Sequence, residues 1–169
     1  VPNFDTSNTE DMYGMFCMCT NLVNIPHFDT ANVTNMSQMF NNCASIISAP
    51  NFDTSNVTDM SYMFYKCPNL TTVPHFDTAN VANMSYMFNG CTNLATTPCF
   101  NASNVTFMTR MFTGCCNITN INILNTNNCN NFSYTFLNCV NVQSINAINL
   151  HSAKNVLQMF TNCKALTTL

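Results

Sequence analysis

The chain of 169 residues carries 4 Lys+Arg and 7 Asp+Glu, a formal net charge of -3, and only 7% of it is charged, against about 25% in ordinary soluble domains. Without a basic cluster, nothing would release counterions from a phosphate backbone or dock on an anionic bilayer, so nucleic acid and electrostatic membrane binding are disfavoured. Hydrophobic residues make up 47%, enough for a sizeable core, while 31 Asn and 22 Thr take over the polar role of Lys and Glu. Apolar runs are far shorter than the ~20 residues of a membrane-spanning helix. The opening Val1-Pro2-Asn3-Phe4 is not a signal peptide, so an exported chain would carry its signal elsewhere.

The pattern returns every 24 residues, in Cys19, Cys43, Cys67, Cys91, Cys115, Cys139 and Cys163, and in Phe16, Phe40, Phe64, Phe88, Phe112, Phe136 and Phe160. A third column runs from Leu22 through Ile46 to Leu166, and a fourth reads Phe4, Phe28, Phe52, Phe76, Phe100, Leu124 and Ile148. The register never slips, so residues 1–169 are read as one array of about seven units, an excerpt of a longer one.

Within a unit, Asp29-Thr30-Ala31-Asn32 offers side-chain oxygens, with Asn32 as the helix cap. Val33, Met36, Met39, Phe40 and Cys43 then mark one face of a short helix over residues 32–43. After the cysteine, Leu70-Thr71-Thr72-Val73, rich in β-branched residues, runs into Pro74-His75-Phe76 and predicts a short strand ending in a turn. A unit this small cannot bury its apolar face alone, so neighbours stack with parallel strands at ~4.8 Å. The expected fold is an α/β repeat solenoid of leucine-rich-repeat type, with strand-plus-short-helix units and a parallel sheet on one face.

Phe52-Asp53-Thr54-Ser55-Asn56-Val57-Thr58-Asp59-Met60-Ser61-Tyr62-Met63-Phe64 and Cys67-Pro68-Asn69-Leu70 resemble the BspA-type leucine-rich repeat of bacterial and protist surface proteins. The resemblance spans nearly the whole chain. It implies an exported solenoid, often anchored to lipid or wall, that binds host or neighbouring-cell molecules. The last two units depart from the pattern, with Asn125 and Asn149 for aspartate and Asn122 and Asn146 for proline; they are expected to be looser or to lie near a natural end.

The cysteine column follows the helical Phe by three residues, where a thiol behaves as a small buried hydrophobe. Stacked helices 8–10 Å apart would keep its members beyond the 4.4–6.8 Å that a disulfide spans. Of the other cysteines, Cys129 stands in a core valine column; Cys17 beside Cys19 and Cys116 beside Cys115 are the places for an irregular bridge or reactive thiol. No CxxC pair occurs, and His27 and His75 lie two rungs apart, too far to share an ion, so no metal is expected. His27, Asn51, His75 and Cys99 are read as solvent-facing turn residues. Asp5, Asp29, Asp53 and Asp77 are read as satisfying backbone N–H groups in their turns. The columns of Met12, Met36, Met60, Met84 and Met108 and of Met15, Met39, Met63, Met87 and Met111 are read as core packing.

Asn-x-Ser/Thr sequons make Asn69 and Asn117 the preferred glycan acceptors, followed by Asn35, Asn83, Asn131 and Asn101. Glycines at 14, 90 and 114 alone cannot build a phosphate loop, no nucleophile elbow occurs, and repetition gives no unique polar constellation, so neither enzyme activity nor a cofactor is expected. Two functions remain open. One is an extracellular or cell-surface solenoid for adhesion or recognition, whose concave strand face offers Thr, Asn and His to a protein or glycan while columns such as Ala44, Pro68, Thr92 and Cys116 vary. The other is a fibre formed by end-to-end self-association, in which the core columns cut at Val1, Phe4, Leu166 and Leu169 supply the interface.

Overall fold

The computed structural model describes residues 4–169, so Val1 lies outside the described residues. Successive 24-residue units pair in parallel through a row of single bridges, Asp11 to Asn35, Asn35 to Asp59, Asp59 to Asn83, Asn83 to Phe107, Phe107 to Asn131 and Asn131 to Asn155. A small three-stranded parallel sheet adds β1 (Phe100–Asn101), β2 (Asn120–Leu124) and β3 (Ser144–Asn146) in sequential order.

The helix expected over residues 32–43 is not there: among the described residues the sole helical element is a 3-10 turn, Thr126–Asn128. The hydrogen bonds give the reason. Met36, Gln38, Phe40 and Asn42 donate their N–H groups to Asp59, Ser61, Met63 and Tyr65 of the next unit at 2.7–3.0 Å. Between them, Met39, Asn41 and Cys43 donate three residues back, to Met36, Gln38 and Phe40, at 3.0–3.3 Å. An α-helix would send every N–H four residues back; here alternate donors leave the segment and the rest close tight turns. Turns of three to four residues return side chains to the interior at nearly the helical interval, so the apolar spacing fits both.

Those turns need left-handed backbone at two positions per unit. One column is Gly14, Gln38, Tyr62, Tyr86, Arg110, Tyr134 and Gln158, the other Met18, Asn42, Lys66, Gly90, Gly114, Asn138 and Asn162, all at φ between 48° and 78°. All three glycines of the chain occupy these columns, where the missing Cβ removes a steric cost of roughly 1–2 kcal/mol.

The core is a set of rows. Phe16, Phe40, Phe64, Phe88, Phe112, Phe136 and Phe160 stack ring on ring at 5.5–5.9 Å with interplanar angles of 1–14°. Twelve residues further along, Phe28, Phe52, Phe76 and Phe100 pack against that row at 5.6–6.3 Å. The expected methionine rows are buried, apart from Met15, which is exposed.

The strand expected at Leu70–Phe76 is reduced to one bridge, Ser48 to Thr72. In the corresponding columns two units later, however, β2 extends over five residues. There Asn122 stands where earlier units have Pro26, Pro50, Pro74 and Pro98, and proline supplies no N–H to a ladder. Of the two units expected to be looser, the one with Asn122 thus holds the longest strand among the described residues, while β3 in the other spans three residues. The alternation in β2 also corrects the fourth column: Ile123 is fully buried and Leu124 is 45% exposed. β1 pairs Phe100 with Ile123, one residue short of the 24-residue register, and Asn125 at φ 60° absorbs the slip.

Candidate functional site

The repeated polar residues are mostly engaged with the backbone. Oδ1 of Asp5, Asp29, Asp53 and Asp77 accepts the N–H of the residue two positions on, at 3.0–3.1 Å, as expected for turn-forming carboxylates. The Ser7 and Ser55 hydroxyls, donating at 2.7 Å, hold Asp5 and Asp53 below the usual 3.8. Asn101 and Asn149 make the same turn contact to Ser103 and His151, which is why loss of charge leaves the fold intact. The asparagines expected to cap helices do something else. Asn32, Asn56, Asn80, Asn104 and Asn128 donate Nδ2 to the carbonyls of Ser7, Ala31, Ser55, Ala79 and Ser103 in the preceding unit at 2.7–2.8 Å. They tie rung to rung.

The cysteine column is a second inter-rung ladder. The Sγ atoms of Cys43, Cys67, Cys91, Cys115, Cys139 and Cys163 donate to the carbonyls of Phe16, Phe40, Phe64, Phe88, Phe112 and Phe136 at 3.0–3.1 Å. Burial raises the thiol of Cys43 to about 11 and that of Cys91 to about 12 from the ordinary 9.0. All eleven cysteines are free thiols. Helix spacing cannot be what keeps them apart, since no helices intervene and rungs pair at ~4.8 Å; each column thiol is turned to its own Phe carbonyl. Cys115 is buried within this ladder, whereas the half-buried Cys116 turns to the Gly114 carbonyl at 3.3 Å. Cys17 is half-buried and Cys19 exposed, while Cys129 is buried as its valine column requires.

Two parts of the surface left for partners lie on and beside the strand side. On the strand side, the column Ser48, Thr72, Thr96, Asn120, Ser144, Thr168 is exposed or half-buried. Ser144 Oγ donates to Asn120 Oδ1 at 2.7 Å, and Asn146 Nδ2 to Asn122 Oδ1 at 2.9 Å. At the adjoining turns, His27, Asn51, His75 and Cys99 are all exposed. His27, Asp29, Thr30 and Asn51 line an open groove of about 530 Å³, and His75, Asp77, Cys99 and Asn101 line another of about 600 Å³. Thr6, Thr54, Thr78 and Thr126 in the same column donate to a carbonyl of the next unit at 2.7–2.9 Å, while the buried Thr30 hydroxyl has no partner. Among the described residues, no group of three or more His, Cys, Asp or Glu is placed to share a metal ion, and no helix is long and apolar enough to cross a membrane.

The sequon amides are part of the ladders. Exposed Asn69 donates Nδ2 to the Ala44 carbonyl at 3.0 Å, and exposed Asn117 donates to Asn93 Oδ1 at 3.4 Å. A glycosylated amide keeps one N–H, so a glycan there leaves a donor for the same contact. Asn35, Asn83 and Asn131 are half-buried, with Oδ1 taken by the N–H of Ser37, Ser85 and Ser133. Asn101 is half-buried and its Oδ1 also accepts from Asn125. Of the residues named for end-to-end contact, Phe4 is 49% and Leu169 73% exposed, and Leu166 packs partly against the core.

A third surface escaped the reading from sequence. The left-handed column that would suit glycine carries Tyr62, Tyr86, Arg110 and Tyr134, and Phe107 stands in a column otherwise filled by Asp or Asn. The recurrence of tyrosine at the 24-residue period was the available signal.

No curated protein matches the chain. The family model described as "Mycoplasma protein of unknown function, DUF285" matches residues 1–96 and again residues 69–168, overlapping hits of the kind that a tandem array produces. The chain belongs to this repeat family.

Proposed function

We propose that the chain is a non-enzymatic recognition solenoid of the cell exterior, related to the BspA-type surface repeats, that holds a protein or glycan on its strand side. The observation that carries this reading is the division of labour among columns. Interior rows keep one residue type for unit after unit at 0% exposure, as with Phe40, Phe64, Phe88 and Phe112. On the strand side, the column Ile47, Thr71, Ala95, Thr119, Gln143 changes at every step and is exposed throughout. A rigid repeated frame beneath a varied surface suits recognition. Asp, Asn and Thr side chains that would otherwise be candidates for chemistry are committed to turn and rung contacts, which supports a binding role over catalysis.

The test uses intact cells expressing the chain in its natural context. Surface biotinylation should label it, and the purified chain should bind immobilised matrix proteins or a glycan array, with Thr72→Ala/Asn120→Ala/Ser144→Ala lowering that binding while its thermal unfolding stays unchanged. Exclusive recovery from the cytosolic fraction, or binding indifferent to those changes, would contradict the reading.

A further inference from the structure

The tyrosine-bearing edge is built at a cost the fold does not require. In the companion left-handed column, five of seven positions, Asn42, Gly90, Gly114, Asn138 and Asn162, serve the same turn geometry with residues that tolerate it, Met18 and Lys66 being the exceptions. In this column, consecutive units instead place Tyr62, Tyr86, Arg110 and Tyr134 at φ 57–60°. Tyr62 stacks on Tyr86 at 4.4 Å, and the Arg110 guanidinium lies 4.1 Å from the Tyr134 ring centre. Tyr65 packs edge-on against both Tyr62 and Tyr86, with the Lys66 ammonium 5.2 Å from its ring.

A second departure falls on the same units. Asp11, Asn35, Asp59, Asn83, Asn131 and Asn155 each close a turn by accepting the N–H two residues on. Phe107 occupies that column without an acceptor, three residues before Arg110, and its ring is 44% exposed. The charge distribution is a third observation. From Thr78 onward the chain carries Arg110, Lys154 and Lys164 with no acidic side chain; beside Tyr62 and Lys66, Asp59 stands in the Phe107 column, with its Oδ1 taken by the Ser61 N–H at 2.7 Å.

We infer that this edge, formed by Tyr62, Lys66, Tyr86, Phe107, Arg110 and Tyr134, binds an acidic polysaccharide running along the stack of rungs. Tyr62 and Tyr86 cover one face of each other and Arg110 covers one of Tyr134, while Phe107, 44% exposed, offers apolar surface for the C–H side of a sugar. Arg110 and Lys66 supply charge-assisted bonds to carboxylates. The spacing selects the occupant: rungs repeat at ~4.8 Å, close to the advance of one 1,4-linked pyranose, whereas an extended peptide presents same-side side chains every ~6.6 Å. The surface uses columns other than the strand side proposed above, so the two proposals stand or fall separately.

Titration calorimetry of the full chain with oligogalacturonates of two to eight sugars is the test, with neutral gluco-oligosaccharides and poly-glutamate as comparison probes. Affinity for the oligogalacturonates should rise with length up to about five sugars and exceed that for both comparison probes at least tenfold. Phe107→Asn and Tyr86→Asn install residues suited to their turns, so they should keep or raise the melting temperature while weakening binding at least fivefold; Arg110→Gln should weaken it at least tenfold. Lys164→Gln, which removes an exposed cation outside both surfaces, should leave it unchanged. Equal binding of poly-glutamate or neutral sugars, or binding unaffected by Phe107→Asn and Arg110→Gln, would overturn the inference.

Discussion

The units that keep proline and the units that lack it solve the same packing problem differently. Around Pro74, Val73 and Phe76 are both buried and His75 is exposed, so two residues separate the inward side chains. Around Asn122, Ile121 and Ile123 are buried with Asn120, Asn122 and Leu124 outward, the strict alternation of a strand. The proline breaks the alternation and lets the second Phe row face inward. Its removal gives a five-residue strand, hands the inward place to Ile123 and shifts the register by one. In the unit of Asn146 the loss of proline has a smaller effect: β3 spans three residues, Ala147 is exposed at φ 63° and Ile148 still packs against the core, so the change of inward column belongs to the β2 unit.

The largest effect expected is one that ignores this difference. Unfolded thiols ionise near 9.0, while burial holds Cys43 to about 11 and Cys91 to about 12. As pH rises past about 9 the native state keeps protons that the unfolded chain releases, so stability falls with rising pH. At about 1 kcal/mol per buried thiol per pH unit, the five fully buried column cysteines exceed any single substitution. Urea unfolding between pH 8 and 10, followed by amide signals in both regions, should show them loosening together; loss of one region first would mean that the thiol ladder does not bind them into one unit.

Next come the rings. Phe88→Ala, which removes a ring held between Phe64 and Phe112, and Phe136→Ala, between Phe112 and Phe160, should each cost about 3–5 kcal/mol in urea unfolding. Values near 1 kcal/mol in one region would show that its row is not packed as described. Asn122→Pro sharpens the contrast itself: it should shorten β2, expose Ile123 and cost about 1–3 kcal/mol, with faster amide exchange over residues 120–124. Unaltered exchange there would remove proline as the cause. The smallest effect is at acid pH. Hydrogen bonds from Ser7 and Ser55 depress Asp5 and Asp53, so their contribution is present above 3.8 and lost as pH falls through the lowered values. The Ser7 and Ser55 amide shifts should move below pH 4, and that of Ser103, facing Asn101, should not.

The repeat, its register and its interior rows were legible because the Phe16 and Cys19 rows repeat one residue type seven times over and the other rows stay almost wholly apolar. The burial of the cysteine column was legible for the same reason, and the role of aspartate followed from its replacement by Asn101. The helix was misread because Val33, Met36, Met39, Phe40 and Cys43 keep the helical interval in a segment whose alternate N–H groups leave it. Period alone cannot tell successive tight turns from a helix; the three glycines at left-handed positions carried that information. Asn32 and its column suit a helix cap by residue type alone, but with no helix to cap their amides reach the preceding unit. The slip at Ile123 was hidden because Leu124 is as apolar as the Phe it replaces. The tyrosine edge was passed over because a core-first reading asks which residues point inward.

The most direct test of the fold is a measurement of couplings across hydrogen bonds by NMR on the isotopically labelled chain. In a stack of turns the Phe64 amide nitrogen couples to the Met87 carbonyl carbon and the Tyr62 amide nitrogen to that of Ser85, each 23 residues ahead. Coupling of Phe64 to Met60 and of Met63 to Asp59, four residues back, would establish the helix and contradict the stack of turns.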